Sequence, residues 1–255
     1  MKQHNAEHRC PDNAKACPHR IRRSERELFQ CEREEERAGV VEEEGICYNL
    51  PYSAIQDLDT EGEMILDRLI NIFIFVYTVY AVVSCFRKDG RWDRKAGLQA
   101  LRFFTILSNL FAAIASLLIF LTLPRSPYWI WLIKYIAACS VTVTFLTVML
   151  FLGPSYGYKA MLSGKNFYLH LGGPLLALLS FVFLERLYTL PFVTSLLGVI
   201  PVILYGFVYL YEVVMIGRWD DFYGYNKNGK WPVSMAAMFV GGFLVCVMVR
   251  VLFNL

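Results

Sequence analysis

Six long apolar blocks leave this chain few folds to choose from. A helix rises about 1.5 Å per residue and the hydrocarbon layer is about 30 Å thick, so roughly 20 mostly apolar residues make one span. Residues 65–86, 98–123, 129–152, 167–184, 192–216 and 233–253 meet that length, the fourth being the shortest. The chain is 56% hydrophobic, and gathering those residues into blocks excludes an ordinary soluble domain. The expected fold is all-α: a polytopic membrane protein, a bundle of about six transmembrane helices over 64–255, partnered by the lipid bilayer.

Charge divides the chain. Residues 1–63 carry 9 Lys and Arg against 15 Asp and Glu, and residues 64–255 carry 16 against 7. The first segment includes Arg22-Arg23-Ser24-Glu25-Arg26-Glu27 and Glu32-Arg33-Glu34-Glu35-Glu36-Arg37, and it reads as a disordered tail or a short solvated helix. It has no apolar stretch of signal-peptide kind. Met64 stands directly before the first apolar block and is a candidate true start, which would make 1–63 a mis-assigned extension. Cys10, Cys17, His19 and Cys31, with His4 and His8 nearby, are zinc-ligand types, but their spacing matches no paired knuckle and no metal or other cofactor is expected. Cys85, Cys139 and Cys246 fall within the blocks and read as small packing residues.

A basic membrane part is what loops facing anionic headgroups require, so it points to no DNA or RNA partner. The first, third and fifth loops hold Arg87, Lys88, Arg91, Arg94 and Lys95, then Lys159 and Lys165, then Arg218, Lys227 and Lys230. The opposite side has Arg125 and Arg186 in its short loops. The positive-inside rule puts the odd loops in the cytoplasm and both termini outside, in a bacterial plasma membrane.

Within the blocks, small and polar residues recur at spacings of three and four. Arg102, Thr105, Asn109, Ala112 and Ser116 line one face of the second, with Phe103, Phe104, Ile106, Leu107, Leu110 and Phe111 on the others. The third repeats the pattern with Lys134, Ala137, Ser140, Thr144 and Thr147, the fourth with His170, Gly173, Ala177 and Ser180, the fifth with Gly198, Pro201, Tyr205 and Glu212. A 3.6-residue period turns each list into an inward stripe, and helix packing through small residues explains most of it.

Ionisable groups inside apolar blocks carry more information, because placing one in hydrocarbon is costly. Arg102, His170 and Glu212 are that set. Lys134 reads as snorkelling to the interface, and Glu185 and Arg186 as ending the fourth helix among headgroups. On these boundaries Arg102, Thr105, His170 and Glu212 lie within roughly 5 to 12 Å of the basic-loop edge and are expected to share one polar pocket. His170 is the only histidine after residue 19, so acid–base chemistry near neutral pH falls to it. A threonine hydroxyl needs a neighbouring base to attack, and a neutral imidazole supplies one. Thr105 with His170 suits acyl transfer from a lipid ester, with Arg102 or Asn109 steadying the oxyanion or a substrate carboxylate, and Tyr205 and Glu212 among the substrate-binding candidates. Two plainer readings stand beside this: Thr105 bonded back to the Leu101 carbonyl, and His170 as a buried polar link. The loop 218–231 is rich in Trp, Tyr and Asp; an interfacial aromatic belt explains most of it, a substrate lid being the other reading, and Asn228-Gly229 marks a tight turn. Asp220 and Asp221 are too few carboxylates for a divalent cation.

The segments Arg102-Phe103-Phe104-Thr105-Ile106-Leu107-Ser108-Asn109 and His170-Leu171-Gly172-Gly173-Pro174 resemble a family of prokaryotic six-helix integral membrane proteins, largely uncharacterised. Residues 205–211 and the loop Trp219-Asp220-Asp221-Phe222-Tyr223-Gly224-Tyr225-Asn226 resemble its Gram-positive branch, so the similarity spans about 64–255. More remotely, the aromatic-Thr segment followed two helices later by a membrane histidine resembles the androgen-induced-gene family of integral membrane hydrolases. That resemblance implies cleavage of fatty acid esters of hydroxy fatty acids, with Thr105 as nucleophile and His170 as its partner. The rival expectation is a non-enzymatic protein that binds or moves a lipid or small solute; a structural or regulatory subunit is a third.

Overall fold

The computed structural model describes residues 40–43, 46–49, 52–88 and 90–255, with side chains from residue 62 onward. The cysteine and histidine positions of the first 39 residues lie outside the described residues, as does most of the expected tail. The chain forms two compact units, Met1–Thr60 and Glu61–Leu255. In the first, β1 (Val40–Glu43) pairs antiparallel with β2 (Ile46–Asn49), Val41 opposite Tyr48.

The second unit is the membrane domain. Six helices long and apolar enough to cross a bilayer run over Gly62–Cys85, Phe104–Thr122, Tyr128–Tyr156, Lys165–Phe183, Thr194–Met215 and Trp231–Phe253. These are the first to sixth spans below. The first belongs to a helix that extends over Tyr52–Cys85.

The largest departure from the sequence reading is at the second span, which begins at Phe104 and not at residue 98. The preceding residues fold as a separate basic element: β3 (Arg87–Lys88) and β4 (Arg91–Trp92) form a hairpin, followed by the short helix Arg94–Ala100. Asp93 caps that helix, its Oδ1 accepting from the Ala96 N–H at 3.1 Å, a bond that satisfies one of the free donors at a helix start. Cations spaced this closely are costly in hydrocarbon, so the chain keeps them outside and enters the membrane after a turn. Arg102 sits in that turn, outside the span in which the sequence reading had placed it.

Among the described residues three π turns fall in the spans, Val148–Leu152, Tyr168–Gly172 and Tyr211–Met215, and the first two have the same cause. Val148–Leu152 and Tyr168–Gly172 each stand directly before a Gly-Pro pair. Pro154 and Pro174 lack an N–H, so the carbonyls four residues earlier, of Leu150 and His170, lose their helical donors. The chain widens by one residue to compensate: Gly153 N–H reaches Val148 O and Gly173 N–H reaches Tyr168 O. Such bulges are frequent at functional sites.

The third span is the hub, packing against the second, fourth, fifth and sixth. Trp131 and Tyr135 pack at a tilt on Phe181 of the fourth, which stacks on Phe253 of the sixth. The fifth span approaches closely at Gly198, where an added Cβ would lie 2.8 Å from the Cys246 sulfur; small residues let membrane helices meet this way. The inward stripes are largely as the sequence predicts, with Arg102, Thr147, His170, Pro201 and Tyr205 only half-buried. Thr105, Asn109, Ala112, Ser116, Ala137, Ser140, Thr144, Gly173, Ala177 and Ser180 are buried, while Phe103, Leu107 and Ile114 are exposed. Among the expected outer residues Ile106 departs most, buried in one cluster with Tyr168 and Leu169, and Phe104 and Phe111 are partly buried against the core.

Lys134 and Glu185 correct the sequence reading. Neither reaches an interface: both are 0% exposed, and Lys134 Nζ lies 3.1 Å from Glu185 Oε1. A buried charge persists only when it is paired and hydrogen-bonded, and each supplies the other's partner.

Candidate functional site

Thr105 occupies the first turn of the second span and His170 the π turn of the fourth. One side chain ties these elements together. The Asn109 amide nitrogen donates to the Thr105 carbonyl at 2.8 Å and to the Leu169 carbonyl, next to His170, at 2.9 Å. An amide nitrogen has two hydrogens, so Asn109 holds the two backbones and has no donor left for a substrate oxyanion.

Thr105 and His170 both line a cleft of about 610 Å³. Its walls include Phe103, Ile106, Leu152, Leu169, Phe222 and Tyr223, and Arg87, Lys88 and Lys165 also line it, with no carboxylate lining it among the described residues. The cleft is an apolar trough with three cations.

His170 Nδ1 lies 2.6 Å from the Met161 carbonyl. A carbonyl only accepts, so Nδ1 carries the hydrogen and Nε2 keeps its lone pair, the tautomer required of a general base. Among the described residues no hydrogen bond joins the Thr105 hydroxyl to His170, and none joins it to the Leu101 carbonyl.

The loop after the fifth span closes one side of the cleft through Phe222 and Tyr223. Phe222 packs on Phe103 with ring centroids 4.4 Å apart, and its carbonyl accepts from the Tyr156 hydroxyl at 3.2 Å. Asp221 fixes the loop's shape: Oδ1 accepts from the Tyr209 hydroxyl at 3.0 Å and the Tyr225 N–H at 2.7 Å, Oδ2 from the Asn226 N–H at 2.7 Å. Asn228 adopts the left-handed conformation, φ 59°, at the turn the sequence marks. Tyr223 lines the same cleft as Thr105; burial pushes its pKa up to about 12, so it stays a neutral donor. Tyr223 is the residue that sequence reasoning missed, because an aromatic in a Trp- and Tyr-rich loop is indistinguishable from an interfacial belt.

Three other sequence candidates lie apart from the cleft lining. Arg102 sets its guanidinium over the Trp219 ring at 5.8 Å, and its carbonyl accepts from the Tyr205 hydroxyl at 2.7 Å. Glu212 pairs with Arg218 through both carboxylate oxygens, Arg218 Nε reaching Oε2 at 2.6 Å. These contacts brace the loop against the fifth span. The single pocket expected of Arg102, Thr105, His170 and Glu212 therefore divides: Thr105 and His170 share the cleft, and Arg102, Tyr205 and Glu212 support its wall. Among the described residues no group of three or more His, Cys, Asp and Glu is placed to hold a metal ion.

Fold and site together define an all-α, multi-pass membrane protein with an apolar cleft bordered by cations. Comparison of the chain with protein-family models, with curated proteins and with solved structures returns no match.

Proposed function

We propose that this protein is an intramembrane hydrolase of fatty acyl esters, with Thr105 as nucleophile and His170 as general base, its cleft opening to the cytoplasmic leaflet. The observation that carries the reading is the pairing, in one apolar-walled cleft, of a buried threonine with an imidazole whose free nitrogen is fixed by the Met161 carbonyl. Apolar walls suit an acyl chain, and Arg87, Lys88 and Lys165 suit a negatively charged head.

The step balances as follows. Thr105 Oγ attacks the acyl carbon as its proton passes to His170 Nε2, and the protonated imidazole delivers that proton to the departing alkoxide. Water, deprotonated by the same nitrogen, then releases the acid and restores the hydroxyl. Asn109 is committed to the backbone, so the oxyanion donor in this reading is the neutral Tyr223 hydroxyl, from the same cleft lining as Thr105.

The alternative is a lipid or small-solute binder that uses the same cleft without chemistry, favoured by the absence of a direct Thr105–His170 bond among the described residues. Hydrolysis of a long-chain chromogenic ester by the purified chain separates the two. The enzyme loses activity by about 10² or more in Thr105→Ala and in His170→Ala, the scale on which removing a nucleophile or its base acts. Equal rates in all three proteins, with the amphiphile still raising Tm, would establish the binder instead.

A further inference from the structure

A second polar centre lies in the other half of the bundle. Ser116 is eleven residues beyond Thr105 on the same helix, about 16 Å along its axis, and its hydroxyl accepts from Lys134 Nζ at 2.7 Å. Lys134 also donates to Asn71 Oδ1 at 2.6 Å and faces Glu185 Oε1 at 3.1 Å. Three acceptors match the three hydrogens of an ammonium.

Two carboxyls share that one cation. Glu185 Oε1 accepts from Lys134, from Ser180 Oγ at 3.0 Å and from Asn71 Nδ2 at 3.1 Å. Asp67, also buried, accepts from the same Asn71 nitrogen at 2.6 Å. Among the described residues, the charged groups facing Asp67 are Glu185 and Lys134. Its neighbour Arg68 turns away to the Leu123 carbonyl, the second span offers Ser116 alone, and Arg186 is bonded to the Val182 carbonyl. Glu185 Oε2, fully buried, has no hydrogen-bond partner among the described residues. With both carboxyls ionised, the centre carries a net negative charge and an orphan carboxylate oxygen in a medium that solvates neither.

We propose that Asp67, Asn71, Lys134 and Glu185 form a proton-binding site buried inside the helix bundle, in which two carboxyls hold one exchangeable proton in addition to the lysine ammonium. Glu185 accepts three donors and is the ionised partner of Lys134. Asp67, with the Asn71 amide as its donor, carries the extra proton. The site joins the first, second and third spans to the end of the fourth, so its protonation state is felt where those helices meet. It does not depend on the ester chemistry of the cleft.

Infrared spectroscopy of the full purified chain tests this. At neutral pH ordinary carboxyls are ionised, so the wild type is expected to show a single protonated carboxylic acid carbonyl stretch that shifts in D2O. Asp67→Asn and Glu185→Gln each leave one carboxyl against one ammonium, and each is expected to abolish the band. Lys134→Met leaves two carboxyls without a cation and retains it. Either acidic variant decides the matter if the other fails to fold. A wild type without the band, or a band that survives both substitutions, overturns the proposal.

Discussion

At the scale of single residues, the side chain on which the cleft depends most is Asn109, which reacts with nothing. Its amide is the link between the Thr105 backbone and that of Leu169. Asn109→Ala removes one interhelical hydrogen bond, worth about 1 kcal/mol in membrane proteins, and lets Thr105 and His170 drift apart. We expect a modest fall in Tm, read by thermal unfolding in detergent, together with a disproportionate fall in ester hydrolysis; unchanged hydrolysis would show that the tie is only structural. The sequence makes the Asn109 stripe legible because burial repeats every three to four residues. It does not make the Asn109 bonds legible, because Leu169 is 60 residues away and an amide reads equally well as an oxyanion donor. Lys134 and Glu185 escaped for a related reason. A charge near a helix end reads as snorkelling unless its partner is known, and the partners come from separate helices.

At the scale of elements, helix interruptions matter more than helices. The spans are legible from apolar run length alone, and their ends differ from expectation where basic or turn-forming residues intervene, as at Asp93–Phe103. The π turn at Tyr168–Gly172 has a plain sequence signal, a Gly-Pro pair inside an apolar block, yet its consequence for His170 depends on backbone geometry. Restoring the missing N–H with Pro174→Ala is expected to return the turn to α-helix and rotate His170 by about 100° relative to the residues beyond it. Stability should hold or rise, since an interior proline costs a helix about 3 kcal/mol. Hydrolysis should fall at least tenfold, because misplacement by about 1 Å already costs up to about 10². Parallel measurements of Tm and rate check this, and a loss of both together would mean that the bulge serves packing.

At the scale of the whole molecule, the bundle holds two polar centres in different surroundings, an open cleft bordered by basic loops and a closed charged network beyond it, both built on the second and third spans. Arg102, Tyr205 and Glu212 illustrate why the cleft's outline escaped the sequence: a loop that folds back onto its own helix exchanges expected pocket residues for supporting ones and brings Tyr223 in. Everything proposed for the cleft turns on Thr105 being the atom that takes the acyl group. The most direct measurement is mass-spectrometric mapping of the adduct formed when the purified chain meets an active-site-directed fluorophosphonate. The account predicts a phosphonyl group on Thr105, lost in Thr105→Ala and strongly reduced in His170→Ala. An adduct on another residue, or folded protein that never labels, contradicts it.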